Sequence, residues 1–245
     1  MFKIFNPRKA ILLIHGFAGG SYDYGDLGND LQLYRNFDVY TFTLPGHDKA
    51  KINNVTKEDW IKAAEIQLEK IIKNGYKRIY IIGHSMGGII ASHLASKYPE
   101  VKKLVLAAPA FKYLSFKEDK LDIIGSIKKM PKIFQDYDSE EVISRILKLP
   151  IPTVKEFMDL VELHTNDVKK ITVPTLILYG VNDEIVPIDS VNYVYENIKS
   201  SSVTLIELEN LTHDLFINNR YNEVKKLIVN FLANYNLNIK ERKKI

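Results

Sequence analysis

Gly83, His84, Ser85, Met86 and Gly87 stand between a β-branched run, residues 78–82, and a small, aliphatic stretch, residues 88–95. A serine in a G-x-S-x-G turn from strand to helix has its hydroxyl lifted clear of the sheet, where it can attack a carbonyl carbon. The glycines two residues to either side let strand and helix approach closely. The helix N-terminus beneath the serine favours developing negative charge. The bland alternative is a Gly-rich turn of an ordinary doubly wound domain, with Ser85 serving as an N-cap. What separates the two is whether the chain also supplies a base and an acid.

A serine hydroxyl needs a base to take its proton and a third group to orient that base. Candidates follow Ser85 in the order acid, then histidine. Residues 175–180 read as a buried strand, and Val181, Asn182, Asp183, Glu184, Ile185, Val186 and Pro187 form the loop beyond its end. Residues 203–208 read as the next strand, followed by Glu209, Asn210, Leu211, Thr212, His213 and Asp214. Both loops lie past strand C-termini, where open α/β sheets place their ligands. Of six histidines, His84 and His93 belong to the elbow and its helix, His15 and His47 to early loops, and His164 to a helix end. Only His213 comes late, after an acid, on a strand-end loop. Glu184 and Asp189 compete with Asp183, which comes first after the strand. Asp214 adjoins the histidine it would have to orient from across a cleft.

An acyl-transfer site also needs two backbone N–H groups aimed where the carbonyl oxygen gains charge. One is expected from Met86. The other is expected from the loop after the strand at residues 10–14, which runs His15, Gly16, Phe17, Ala18, Gly19, Gly20; Phe17 is its donor. That loop matches neither G-x-G-x-x-G nor a phosphate-binding loop with its lysine.

Together these residues closely resemble the α/β-hydrolase superfamily, and within it the small bacterial carboxylesterases and monoacylglycerol-lipase-like enzymes. The resemblance rests on residues 15–19, on Leu44-Pro45-Gly46-His47, on the elbow, on residues 180–187 and on His213, and so spans nearly the whole chain. It implies Ser85 as nucleophile, Asp183 and His213 as its partners, and the Phe17 and Met86 amides as oxyanion donors. Gly16, His84, Phe111, Met158 and Ile185 are assigned to substrate binding. Many relatives carry Gly just before the catalytic histidine, where this chain has Thr212, so the loop must not need a positive φ there. The short His-Gly-Phe loop lacks the His-Gly-Gly-Gly run of some lipases, and the Gly-Gly-Pro-Gly run of proline iminopeptidases is absent. Haloalkane dehalogenases and epoxide hydrolases carry Asp where Ser85 stands.

The elements that must position these residues alternate as βα units, which predicts a mostly parallel sheet flanked by helices. Strands are expected at 10–14, 38–42, 78–82, 103–107, 175–180 and 203–208. A helix from Thr56 carries Ile61, Ala64, Leu68, Ile71 and Ile72 on one face, with Thr56 and Asp59 as a capping box and Gly75 as its stop. Residues 111–172 are several times too long for a crossover. Ser115 with Glu118, Ser139 before Glu140 and Glu141, and Thr153 with Glu156 read as three helix starts. The apolar stripes are Leu121, Ile124 and Ile127; then Val142, Ile143, Ile146 and Leu147; then Phe157, Leu160 and Val161. The expectation is one α/β-hydrolase core, 1–110 and 173–245, with a helical cap, 111–172, supplying much of the acyl pocket. A helical subdomain packed to one side is the alternative.

The 245 residues carry 34 basic and 30 acidic side chains, a net charge of +4. Lys240, Glu241, Arg242, Lys243 and Lys244 supply most of that excess, in what reads as a solvated, frayed tail. No basic patch with interleaved aromatics points to nucleic acid. There is no cysteine, which fits the cytoplasm. No apolar run approaches a membrane span, and no signal core opens the chain. No metal-ligand cluster stands out, and no cofactor is expected. The expected partner is a small ester, with the protein a monomer or homodimer. The reading is a cofactor-free serine carboxylesterase for short to medium acyl chains. A monoacylglycerol lipase, a thioesterase or a C–C bond hydrolase with the same triad is the alternative, and a binding protein of this fold is a weaker one.

Overall fold

Strands buried on both faces read as unbroken apolar runs, because helices cover each side of a parallel sheet. A computed structural model describes residues 8–34, 37–47, 55–112, 116–117, 120–121, 150–234 and 239–245. It contains β1 (Lys9–Ile14), α1 (Leu27–Gln32), β2 (Phe37–Thr41), α2 (Lys57–Lys73), β3 (Ile79–His84), α3 (Met86–Lys97) and β4 (Val101–Ala107). A hairpin of β5 (Phe116–Lys117) and β6 (Lys120–Leu121) follows, then α4 (Ile151–His164), β7 (Thr175–Gly180), α5 (Ile188–Asn197), β8 (Val203–Leu208), α6 (Tyr221–Ala233) and β9 (Lys240–Lys244). The sheet order is β2-β1-β3-β4-β7-β8-β9, and every neighbouring pair is parallel.

Alternate residues of each strand feed two cores. Leu12, Ile81, Leu106 and Ile177 face a cluster with Trp60 of α2, Ile89 and Ile90 of α3, Phe157 and Leu160 of α4 and Val191 of α5. Ile11, Ile82, Val105 and Leu178 face Leu27 and Leu31 of α1 and Val224 and Ile228 of α6. The molecule is thus helix, sheet, helix in three layers, the α/β-hydrolase architecture. The chain order reverses between β1 and β3, so the loops leaving these two strands open a crevice at their C-terminal ends.

The helix from Thr56 forms as its sequence dictates. Thr56 Oγ1 accepts from the Asp59 N–H at 3.3 Å, and Asp59 Oδ2 accepts from the Thr56 N–H at 2.9 Å. Gly75 ends it at φ +89°, with the Gly75 N–H donating to Ile72 O and the Tyr76 N–H to Ile71 O. That pair of bonds is a Schellman cap. The fully buried stripe is Trp60, Ala64, Leu68 and Ile71, with Ile61 and Ile72 packed at its margins.

Three expectations are corrected. The basic tail is not frayed: β9 pairs along β8, Val203 opposite Lys240 and Glu207 opposite Lys244. Its charges lie mostly exposed, a composition that blunts an edge strand against further pairing. Where a helix start is expected, residues 116–117 and 120–121 pair as antiparallel strands; Ser115 and Glu118 themselves lie outside the described residues. Nor is Thr153 an N-cap. Pro152 at the second position fixes a helical φ, so α4 starts at Ile151 and Thr153 is buried in its first turn. Glu156 instead accepts from the Lys57 N–H at 3.1 Å and from Lys57 Nζ at 3.3 Å, which ties α4 to the N-terminus of α2. The expected helix start at Ser139 and the stripes from Ile124 to Leu147 lie outside the described residues, as does most of the expected cap. Phe157, Leu160 and Val161 do form a buried stripe. Among the described residues no helix is long and apolar enough to cross a membrane.

One buried cation supports the far face. Lys103 Nζ, on β4, donates to the carbonyls of Phe231 at 2.6 Å and Asn234 at 2.5 Å. It thereby caps the negative end of α6, although burial lowers its pKa to about 8. Lys103→Met is expected to cost roughly 1.5–3 kcal/mol, the range for hydrogen bonds to a charged group. Urea unfolding at pH 7 checks it.

Candidate active site

The turn after β3 is strained where the sequence places its serine. Ser85 has φ +54° and ψ −120°, a conformation that costs a non-glycine residue about 1–3 kcal/mol. Its neighbours hold it there. The Ser85 N–H donates to Ala107 O at 2.9 Å, and Ser85 O accepts from the N–H groups of Gly88 and Ala110 at 2.9 and 3.3 Å. A Cβ at Gly87 would lie 1.9 Å from the carbonyl oxygen of Ile14. No side chain fits there, so the first turn of α3 rests directly on the end of β1.

The loop after β1 is fixed with equal care. A turn closes from the Gly19 N–H to Gly16 O at 3.3 Å, with Ala18 at φ +58°. A Cβ on Gly16 would stand 3.0 Å from Ser85 Cβ, so this loop lies against the serine. His15 Nδ1 donates to Gly16 O at 2.9 Å, and His15 Nε2 accepts the Leu44 N–H at 2.9 Å. One neutral imidazole thus joins the loops after β1 and β2. Tyr24 Oη lies 2.7 Å from Ile14 O and 2.9 Å from Ile82 O, across the ends of β1 and β3. Among the described residues neither the Phe17 nor the Met86 N–H has an internal acceptor.

Asp183 and His213 meet across the ends of β7 and β8. Asp183 Oδ2 accepts from His213 Nδ1 at 2.9 Å, while Oδ1 accepts the Ile185 and Val186 N–H groups at 2.9 and 2.8 Å. The loops carrying them are stitched by the Asn182 N–H to Leu211 O at 2.9 Å. A Cβ at Gly180 would sit 2.3 Å from Thr212 O, so only glycine lets the loops come this close. Thr212 itself has no positive φ; Asn210, at +59°, takes the left-handed position instead. His84 Nε2 donates to His213 O at 3.1 Å, and the two rings are 4.8 Å apart. The elbow therefore touches the histidine loop directly.

The residues assigned to substrate binding scatter around this centre. Gly16 adjoins Ser85. His84 is buried behind it, edge-on to Phe216 at 5.7 Å. Phe111 and Met158 are buried, and Ile185 is partly buried against the same core as Phe111. Phe17 stacks on Phe157 of α4 at 4.9 Å and 14°, and meets Trp60 edge-on at 5.8 Å. The last helix of the insert therefore packs against the loop that flanks the serine.

Burial and charge set the protonation of three buried imidazoles, those of His15, His84 and His213. Burial lowers His15 to about 4 and His84 to about 3. Burial also acts to lower His213, but the Asp183 charge and hydrogen bond outweigh it, and its pKa is raised. Burial raises the neighbouring Glu184 carboxyl.

Known proteins carry the same plan. The sequence profile of the Hydrolase_4 family, serine aminopeptidase S33, matches residues 6–220. The chain belongs to that family. A carboxylesterase of Bacillus subtilis (strain 168) is 26% identical over 232 residues, covering 91% of this chain and 92% of its own. The monoacylglycerol lipase ABHD6 of Bos taurus is 27% identical over 264 residues, covering 92% and 76%. The crystal structure of Paleococcus ferrophilus monoacylglycerol lipase superposes with a TM-score of 0.70 at 21% identity, covering 91% of this chain and 93% of that one. At that identity the likeness speaks to the fold.

As a member of Hydrolase_4, the chain holds parts that its motifs do not announce. The His15 clip, the Tyr24 bridge and the Gly180 approach each join residues far apart in sequence. Only a histidine directly after the first strand, and a glycine ending a strand, hinted at two of them. Because His15 and His84 are held neutral, the unfolded chain takes up their protons first as pH falls below about 6.5. Their contribution to stability is complete above that pH and is lost on the way down to about 4 and about 3. Urea unfolding is expected to show a loss on the order of 2 kcal/mol per imidazole between pH 7 and 4.5, and His15→Asn should flatten that dependence.

Proposed function

We propose that the protein hydrolyses carboxylic esters of short to medium acyl chain through a Ser85 acyl-enzyme. The observation that carries this reading is the Asp183–His213 hydrogen bond beside a serine held at positive φ. Asp183 can only accept, so the proton of neutral His213 sits on Nδ1 and the Nε2 lone pair is left for the serine. Ser85 Oγ attacks the ester carbon as its proton passes to His213. The Phe17 and Met86 N–H groups stabilise the resulting oxyanion. His213 then protonates the leaving alcohol, and a water activated by the same nitrogen releases the acid. Glycine at 16 leaves room for the carbonyl beside Ser85, and His84 holds the His213 backbone from behind.

In this reading the described end of the insert, residues 150–172, forms part of the acyl side of the cleft. Phe157 carries its last helix onto Phe17, Phe111 and Ile185 share that core, and buried Met158 of the same helix is assigned to the acyl side as well. Relatives named carboxylesterase and monoacylglycerol lipase support ester chemistry. They give equal support to a monoacylglycerol as substrate, and a thioester would react through the same groups.

Hydrolysis of p-nitrophenyl esters from acetate to palmitate, beside monoacylglycerols and acyl thioesters, tests the reading. The expected profile peaks at short to medium chains and falls by several orders of magnitude in Ser85→Ala. Wild-type turnover in Ser85→Ala would refute it. A second expectation concerns pH. His213 must be neutral to act as base, and its pKa is raised, so the acid limb of kcat/KM lies above the ordinary histidine value of about 6.5. In Asp183→Asn the strongest opposition to burial is gone, with only Asp214 and Glu184 still raising the imidazole, so the limb moves to lower pH while the rate falls by roughly 10⁴. An unmoved limb would mean that Asp183 does not set this base.

A further inference from the structure

No metal-ligand cluster stands out in the sequence, but the fold assembles one away from the serine. His93 lies seven residues into α3 from Met86, about 10 Å along the helix. It meets His164 at the end of α4 and Asp167 in the 3₁₀ turn that follows, Thr165–Lys170. One oxygen, Asp167 Oδ2, lies 2.8 Å from both His93 Nδ1 and His164 Nδ1. Each residue offers a ligand atom, and these lie within 4.8 Å of one another. The two rings pack edge to face at 4.5 Å. All three side chains are largely buried, at 16%, 11% and 10% exposure.

The far nitrogen of His93 decides what the cluster needs. His93 Nε2 faces Glu65 Oε1 at 3.4 Å, and Lys97 Nζ holds that carboxylate at 2.6 Å. A carboxylate only accepts, so Nε2 carries the hydrogen. In the neutral ring Nδ1 is then a bare lone pair aimed at a carboxylate oxygen, which is repulsive at 2.8 Å. Positive charge there relieves it, supplied either by a proton on Nδ1 or by a metal ion between the two atoms. A histidine that gives one ring N–H to a carboxylate and turns its other nitrogen inward is the arrangement of a metal-bound imidazole. Lys170 Nζ takes the other oxygen of Asp167, Oδ1, at 2.7 Å and leaves Oδ2 for the ion.

We propose that His93 Nδ1, His164 Nδ1 and Asp167 Oδ2 bind a divalent transition metal, with Zn²⁺ the best match. Two imidazoles and a carboxylate, with a water completing a tetrahedron, suit zinc, whereas Mg²⁺ and Ca²⁺ favour oxygen alone. Bonds of about 2.0–2.1 Å place tetrahedral ligand atoms about 3.3 Å apart, so the 2.8 Å contacts open by about half an ångström on binding. The ion would be structural. It joins the nucleophile's helix α3 to the end of α4, the last helix of the insert, and lies outside the proposed ester chemistry.

The test uses the full chain, purified without a polyhistidine tag and stripped with a chelator. Titration with Zn²⁺ alone, followed by calorimetry and thermal unfolding, is expected to show one site of micromolar affinity or tighter. Tm should rise by several degrees at saturating metal, and Ser85→Ala should bind equally well. His164→Asn and Asp167→Asn should each weaken binding at least tenfold. Should those variants not fold, the imidazole ¹⁵N shifts of His93 and His164 in the wild type report the same ligation. Absence of binding below about 100 μM would overturn the site, leaving a protonated His93 as the cation between the carboxylates. So would binding that the variants or the two imidazole signals do not register.

Discussion

No atom fits between the end of β1 and the first turn of α3. Gly87 meets the Ile14 carbonyl where any Cβ would overlap it, and much of the centre depends on that contact. It sets the depth at which α3 enters the sheet, and with it the height of Ser85 above the strand ends. It also brings the loop after β1 alongside, so that Gly16 abuts Ser85. Tyr24, spanning Ile14 and Ile82, secures the same two strands from the other layer. The strain at Ser85 is sustained because bonds from Ala107, Gly88 and Ala110 surround it.

The same economy governs the opposite wall. Gly180 admits the Leu211–Thr212 backbone, the Asn182 N–H binds it, and His213 arrives within reach of Asp183. Opposing forces then set the chemistry of that imidazole. Burial favours the neutral form and Asp183 the charged one, and the carboxylate prevails. His15 and His84 lack such a partner and are held neutral as fixed hydrogen-bonding pieces. Three similar side chains thus take two electrostatic roles within one crevice.

Much of this was legible in the sequence where the chemistry is local. Strands at 175–180 and 203–208, the Thr56–Asp59 box and the Gly75 stop follow from propensity and pattern, and each forms where expected. The elbow was legible because strain there demands small neighbours. Non-local pairing was not. The run at 240–244 carries the charges of a solvated tail and becomes a strand only because β8 offers it an edge. The Thr153–Glu156 spacing looks like a cap, yet Glu156 serves α2 across the fold. His93, His164 and Asp167 carry no shared motif, since three helical segments must pack before they meet.

The central claim is that Ser85 is a nucleophile driven by His213. Treatment with a fluorophosphonate, followed by tryptic peptide mass spectrometry, tests it most directly. The account predicts a single adduct on residues 79–97, localised by fragmentation to Ser85 rather than Ser92 or Ser96, and lost in His213→Asn. An adduct on another residue, or labelling that persists without the imidazole, would contradict it.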